Sequence, residues 1–102
     1  MLYRQGDIYI ETVRCLPDGA IKQASTVLAD GELTGHRHRI LDFRTASVFD
    51  ARGEMFIEVV AERAEVVHEE HGPILLNRGV YRVWRQREYD PRATLRRRFV
   101  VD

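Results

Sequence analysis

The chain has 102 residues, of which 44% are hydrophobic and 31% are charged, and its formal net charge at pH 7 is zero. These values are typical of a globular protein and exclude a disordered one, and the length predicts a single domain over residues 1–102 with one modest core. A lone cysteine, Cys15, excludes an internal disulfide, and the chain shows neither a long apolar run nor an apolar leader. We therefore expect a cytoplasmic protein without a membrane segment.

The first half of the chain predicts three strands. Residues 8–13 alternate in polarity and are rich in β-branched and aromatic side chains, which favours a strand. A Leu-Pro-Asp-Gly turn at residues 16–19 separates it from a second strand at residues 25–29, and residues 36–41 form the third. Residues 30–33 predict one helical turn at most.

The second half predicts a hairpin followed by further strands. Residues 46–49 and 55–60 flank Asp50-Ala51-Arg52-Gly53, a hairpin signal that places Met55, Ile57 and Val59 on one face. The remaining predicted elements are strands at residues 64–68, 74–76, 80–89 and 99–101, a turn at Asn77-Arg78-Gly79 and a short helix at residues 91–97. Many short strands between glycine and proline turns predict an all-β fold, a small barrel or sandwich of about seven or eight strands.

The stretch His36-Arg37-His38-Arg39-Ile40 is the first candidate site. Side chains on a strand alternate between its two faces, so His36 and His38 share the inward face with Ile40 while the arginines reach solvent. Two imidazoles on one strand face are a suitable start for a site that binds one divalent metal ion, namely zinc, iron, nickel or manganese.

A second cluster, His68-Glu69-Glu70-His71, supplies candidates for the remaining metal ligands. His68 or His71 would be the third ligand, and Glu69 or Glu70 an oxygen ligand or a hydrogen-bond partner of a ligand. On a helix these two histidines share a face, whereas on a strand they point to opposite faces, and the sequence does not decide between the two conformations.

The unit His36-Arg37-His38, followed after three further residues by Asp42, resembles the first motif of cupins. In cupins a glutamate usually stands at the position of Asp42, and the fold is a small β-barrel with a metal ion at its centre. The resemblance implies that His36, His38 and Asp42 are ligands. The second cupin motif has its histidine after a Pro-x-Gly turn, whereas here His71 precedes Gly72-Pro73.

Four blocks are similar to those of a group of short uncharacterised bacterial proteins. They are Arg4-Gln5-Gly6-Asp7, Gly31-Glu32-Leu33-Thr34-Gly35-His36-Arg37-His38, His68-Glu69-Glu70-His71-Gly72-Pro73-Ile74 and Arg85-Gln86-Arg87-Glu88-Tyr89. The resemblance implies a bacterial cytosolic origin and implies no activity.

The histidines also have explanations that need no metal. A histidine near a turn often hydrogen-bonds the backbone, and the His-Arg-His-Arg stretch fits an exposed polar strand. A metal-free acid–base pair, such as His36 with Glu70, would suit hydrolytic or nuclease-like chemistry. A metalloenzyme would need an open coordination position beside a base such as Glu69 or Glu70, so the sequence leaves enzymatic activity open.

The arginine-rich segment near the C-terminus is the second candidate site. Guanidinium groups for phosphate and aromatic faces for bases are typical of proteins that bind single-stranded nucleic acid. The candidate residues for binding nucleic acid or a protein partner are Arg82, Arg85, Arg87, Tyr89, Arg96, Arg97 and Arg98. The alternative is that Tyr81 and Trp84 belong to the core, with the arginines stacked over them.

The charges are divided between two segments. Residues 50–70 carry seven acids and two arginines, a net charge of −5, and residues 78–98 carry eight arginines and two acids, a net charge of +6. These segments could pair within one chain or between subunits of a homo-oligomer. The leading hypothesis is a binding or accessory domain with a histidine-lined metal pocket, and the alternative is an oligomeric module that binds protein or nucleic acid through the arginine segment.

Overall fold

The part of the chain that the structure describes folds into eight antiparallel strands. The structure, a computed structural model, describes residues 1–31 and 34–86, and within those ranges it contains no helix. The strands are β1 (Leu2–Gln5), β2 (Ile8–Val13), β3 (Ile21–Lys22), β4 (Val27–Asp30), β5 (Arg37–Ile40), β6 (Ala46–Ala51), β7 (Glu54–Val67) and β8 (Ile74–Arg85). The predicted all-β class and strand number are confirmed. The predicted helix at residues 91–97 and strand at residues 99–101 lie outside the described residues.

The eight strands belong to one curled sheet that forms a half-barrel. Its main path runs β1-β2-β8-β7-β5-β4, and β6 pairs with both β7 and β3. β7 and β8 are the two longest strands and lie at the centre of this path, so they connect β2 on one side with β5 and β6 on the other. Among the described residues, no helix is long and apolar enough to cross a membrane.

The concave face of the sheet holds the main hydrophobic core. Alternation along β2 places Ile8 and Ile10 in this core, and alternation along β7 places Ile57 and Val59 there, with Met55 packed against them. The shared face predicted for Met55, Ile57 and Val59 is therefore confirmed. Burying one such aliphatic side chain contributes about 1.5–3 kcal/mol, so this face is a major source of the stability of the fold.

The turn between β6 and β7 is the hairpin that the sequence predicts. Arg52 and Gly53 both have positive φ, at 56° and 82°, which suits the tight turn that the right-handed twist of paired strands favours. The register is regular from Ala51 opposite Glu54 to Ala46 opposite Val59.

The prediction of a turn at Asn77-Arg78-Gly79 is wrong, because these residues lie inside β8. The two strands predicted at residues 55–60 and 64–68 likewise belong to one strand, β7. The irregularity lies in β7, where the pairing with β8 shifts between Val59 and Arg63. Gly79 lies opposite Val59, next to this irregularity, and its φ is 150°. The residue therefore continues the strand opposite a bulge and does not form a turn.

The short strands β1 and β3 are elements that the sequence did not predict. β1 pairs with β2 from Leu2 opposite Glu11 to Gln5 opposite Ile8. The two strands join through Gly6, whose φ of 58° is the left-handed conformation that glycine adopts readily. This turn matters for function, because it brings Gln5, Gly6 and Asp7 to the histidines.

A candidate histidine site

Three separate segments of the chain meet where the sheet curls back on itself. They are the β1–β2 turn, the beginning of β5 with His36 and His38, and the loop from residue 68 to 73 between β7 and β8. β5 pairs with β7 through Arg39 opposite Val67, so the residue before Arg39 and the residue after Val67 are neighbours. This register brings His38 to His68, although thirty positions separate them in the sequence.

The four histidine rings form a single cluster. The ring centroids are 4.2 Å apart for His38 and His68, 4.7 Å for His68 and His71, 5.6 Å for His36 and His68, and 6.2 Å for His38 and His71. His68 therefore contacts the other three. The segment that carries His68 and His71 is neither the helix nor the strand considered from the sequence but a loop of bends.

His38 is the buried member of the cluster, with 4% of its surface exposed. Its Nδ1 lies 2.9 Å from Oε1 of Gln5, and its Nε2 lies 3.2 Å from Oδ1 of Asp7. Burial and the nearby charge of His68 lower the pKa of His38, although the hydrogen bond to Asp7 acts in the opposite direction. The inward orientation predicted for His38 and Ile40 agrees with their burial, and Arg37 is exposed as expected.

Gln5 fixes the β1–β2 turn to the loop that follows β7. Its amide nitrogen donates hydrogen bonds to the carbonyl oxygens of Val66, at 3.0 Å, and Gly72, at 2.8 Å. The side chain is buried, so these two bonds and the contact with His38 satisfy an amide that would otherwise be costly to remove from water.

Glu70 holds the two histidines on the open side of the cluster. Its Oε1 lies 2.5 Å from Nδ1 of His36, and its backbone N–H donates to Nδ1 of His68 at 3.0 Å. The His36–Glu70 pair considered from the sequence therefore exists as a geometric contact. Glu69 has a different role, because its carboxylate accepts the backbone N–H of Arg37 at 2.8 Å, and this bond lowers the pKa of Glu69.

Gly6 lies so close to the cluster that a Cβ atom at this position would contact two of the rings. A Cβ atom at this position would lie 2.7 Å from Nε2 of His71 and 3.2 Å from Cε1 of His38. The left-handed backbone favours glycine at this point of the turn, and a Cβ atom there would displace the exposed ring of His71.

Asp42, the oxygen ligand implied by the cupin resemblance, lies beyond the end of β5 that is remote from His36. Its Oδ1 accepts the backbone N–H of Arg44 at 2.9 Å, and its two oxygens lie 3.1 Å from the guanidinium of Arg44. The Arg44 side chain lowers the pKa of Asp42. The fold therefore does not bring Asp42 to the histidines.

The arginine candidates that the structure describes make contacts within the chain. Arg82 is buried, donates from Nε to Glu54 at 2.7 Å and lies 4.7 Å above the ring of Trp84, which stacks on Tyr9. Arg85 donates to the carbonyl oxygen of Asp30.

The pairing of β7 with β8 also brings part of the acidic segment against part of the arginine segment. Arg87, Tyr89, Arg96, Arg97 and Arg98 lie outside the described residues, so their proposed binding role stays a prediction.

The donor atoms of the cluster are close together but are not arranged around a common point. Over residues 1–31 and 34–86, no group of three histidine, cysteine, aspartate or glutamate side chains has the arrangement of a metal site. His36 is half-buried and paired with Glu70, whereas His71 is exposed.

Gln5, Gly6 and Asp7 are the residues at the site that sequence reasoning did not assign to it. They belong to the block Arg4-Gln5-Gly6-Asp7, which was distinctive in the sequence but carried no chemical signal of its own. Only the curl of the sheet, which brings the β1–β2 turn across to β5 and to the loop after β7, places this turn against His38 and His71.

No curated protein and no solved structure matches the chain. The resemblance to cupins therefore stays a prediction. One protein family matches residues 4–86, a segment that contains all four histidines together with Gln5, Gly6 and Asp7. Because this segment is well over half of the chain, the protein belongs to the family described as Domain of unknown function (DUF8820).

Proposed function

We propose that this protein is a bacterial cytosolic binding domain whose histidine cluster holds one divalent metal ion, namely zinc, iron, nickel or manganese. His36 and His38 are the first two ligands, and His71 is the third. Imidazole nitrogens suit these first-row metals, and a cluster drawn from three segments gives a small domain an additional crosslink when the ion binds.

The observation that carries the proposal is the hydrogen bonding of His36 and His38. In each ring Nδ1 lies against an oxygen atom, from the Glu70 carboxylate or from the Gln5 amide, at 2.5 Å and 2.9 Å. Metal-binding histidines usually donate one ring N–H to such an oxygen, which leaves the lone pair of the other nitrogen for the metal. Glu70 and Gln5 thus act on the ligands without contacting the ion.

His68 has a different place in the proposal. Its Nδ1 accepts the N–H of Glu70, so the proton of the neutral ring is on Nε2 and neither nitrogen has a free lone pair. His68 therefore packs between the ligand rings, whereas the exposed His71 is free to rotate towards them.

The test is a calorimetric titration of the tag-free, metal-free protein with zinc. We expect one equivalent to bind to the unaltered protein and the double variant His36→Ala/His38→Ala to lose this binding. Asp42→Asn is the matched control, since it removes a carboxylate that the sequence suggested as a ligand but that pairs with Arg44. Equal zinc binding by all three proteins, each shown to be folded by circular dichroism, would refute the proposed site.

A further inference from the structure

The hydrogen-bonded chain from Gln5 through His38 to Asp7 deepens the proposed metal site, on which this inference rests. We infer that Gln5 holds His38 in the tautomer with its proton on Nδ1, and that Asp7 is the carboxylate ligand that shares the bound cation with Nε2 of His38. Gln5 is then a positioning residue, and Asp7 takes the place that the sequence assigned to Asp42.

The orientation of the Gln5 amide is fixed by its own partners. Its Nε2 lies 3.0 Å and 2.8 Å from two backbone carbonyl oxygens, of Val66 and Gly72, which can only accept hydrogen bonds. The reversed amide would place an oxygen against both carbonyls, so the amide group has a single acceptable orientation. Its Oε1 must therefore face His38.

The orientation of Gln5 determines where the proton of His38 lies. An amide oxygen only accepts, so Nδ1 of His38, 2.9 Å away, must carry the proton. The neutral ring then has its lone pair on Nε2, and this atom faces Oδ1 of Asp7 at 3.2 Å. Two acceptors at that distance repel each other, and a cation between or beside them, either a proton or a metal ion, removes this repulsion.

The surroundings of His38 favour the metal ion over the proton. The ring is buried, and the rings of His68 and His71 lie 4.2 Å and 6.2 Å away, so a positive imidazolium would be desolvated among further basic groups. Asp7 is 46% exposed, so an ion from solvent can reach its carboxylate directly. A metal ion attached to Nε2 and Oδ1 would satisfy both acceptors without charging the ring.

The first experiment measures the tautomer of His38 in metal-free, 15N-labelled protein at about pH 8, where imidazoles are neutral. Long-range 1H–15N correlation distinguishes the two neutral tautomers, and the His38→Gln variant assigns the signal. We expect the Nδ1–H form in the unaltered protein and a shift towards the Nε2–H form in Gln5→Met. An Nε2–H signal in the unaltered protein would overturn the role of Gln5, whether or not the Gln5 variant folds.

The second experiment compares zinc titrations of Asp7→Asn and Asp42→Asn. We expect the zinc dissociation constant to rise about ten- to a hundred-fold for Asp7→Asn and to stay unchanged for Asp42→Asn. Equal affinities for the two variants would overturn the ligand role of Asp7 while leaving the histidine site intact. If the unaltered protein binds no zinc, the proposed function and the role of Asp7 both fail, and the tautomer alone decides the role of Gln5.

Discussion

His38 is a polar side chain in an apolar position, next to Ile40 on the same strand face. The fold accommodates it by placing the amide oxygen of Gln5 beside Nδ1, while Nε2 faces the carboxylate of Asp7 at the partly exposed edge of the cluster. Burial of an imidazole favours its neutral form, so the protonation of this one residue should be visible in the stability of the whole protein.

The stability of the metal-free protein should depend on pH through His38. In the folded protein, burial and then the charge of His68 lower the pKa of His38 below its ordinary value of 6.5. As the pH falls below 6.5, this residue therefore binds a proton more readily in the unfolded chain than in the folded protein. The stabilising contribution is therefore complete above pH 6.5 and is lost as the pH falls through 6.5 towards the folded pKa. Urea unfolding at about pH 7.5 and about pH 5.5 should show a smaller loss of stability for His38→Gln than for the unaltered protein. Equal losses would contradict this reading.

Gly6 tests how closely the β1–β2 turn must approach the rings. In Gly6→Ala the left-handed backbone costs about 1–2 kcal/mol of unfolding free energy, and the new Cβ atom displaces His71. Gly19→Ala is the matched control, because Gly19 also has a positive φ, of 80°, but nothing lies within 4 Å of its Cβ position. Chemical denaturation should show destabilisation of both variants, whereas a zinc titration should show weaker binding only for Gly6→Ala. Identical zinc affinities would mean that the close approach has no role in the site.

The sequence predicted the histidines of this site but not all of their partners. His36, His38, His68, His71 and Glu70 were found because imidazole and carboxylate groups in short clusters have a chemical signature. Gln5 and Asp7 were not found, because a glutamine amide and a turn aspartate are common and their contacts join positions more than thirty residues apart. Asp42 was included because a motif spacing suggested it, although its neighbour Arg44 binds its carboxylate locally.

At the scale of elements, β7 and β8 form the centre of the sheet. Their pairing places Phe56 opposite Arg82 and carries Glu54 close to the same arginine. The opposite charges noted in the sequence thus meet, in part, across two neighbouring strands. An arginine that is 7% exposed in its side chain needs such a partner, since an uncompensated buried charge is strongly unfavourable.

Removal of the Glu54 carboxylate should therefore destabilise the sheet. We expect Glu54→Gln to lower the free energy of unfolding by about 1–2 kcal/mol, which is less than for a fully buried pair because Glu54 is 41% exposed. Glu62→Gln makes the same chemical change at an exposed position of β7 and should have little effect. Urea denaturation of both variants provides the measurement. If Glu62→Gln destabilised the protein as much as Glu54→Gln, the Arg82 contact would not be the cause.

The strands with clear alternation were predictable and the irregular ones were not. β2 and the β6–β7 hairpin follow directly from period-two patterning and from the Arg-Gly turn. Gly79 suggested a turn, but it lies within β8, opposite a bulge in β7. A bulge depends on how two distant strands share a register, so neither strand signals it alone.

At the scale of the whole molecule, the curl of the half-barrel brings together three segments that are distant in the sequence. Pairing along the sheet places the β1–β2 turn beside the C-terminal end of β8 and the β7–β8 loop before its N-terminal end. The curl of the sheet therefore brings this turn to the loop and to the beginning of β5. Gln5 ties the β1–β2 turn to the β7–β8 loop, and Glu69 ties that loop to the beginning of β5 through the backbone of Arg37. A metal ion bound by residues from more than one of these segments would stabilise the folded form further, because it binds the assembled site and not the unfolded chain.

The central claim is that His36 and His38 hold a metal ion, and the most direct measurement is the metal content of the purified protein. Inductively coupled plasma mass spectrometry should be performed on protein prepared without a histidine tag, with the His36→Ala/His38→Ala variant prepared in parallel. We predict close to one equivalent of zinc, iron, nickel or manganese in the unaltered protein and almost none in the folded variant. Folded, unaltered protein that contains no metal, even after incubation with each of these four ions, would contradict the account.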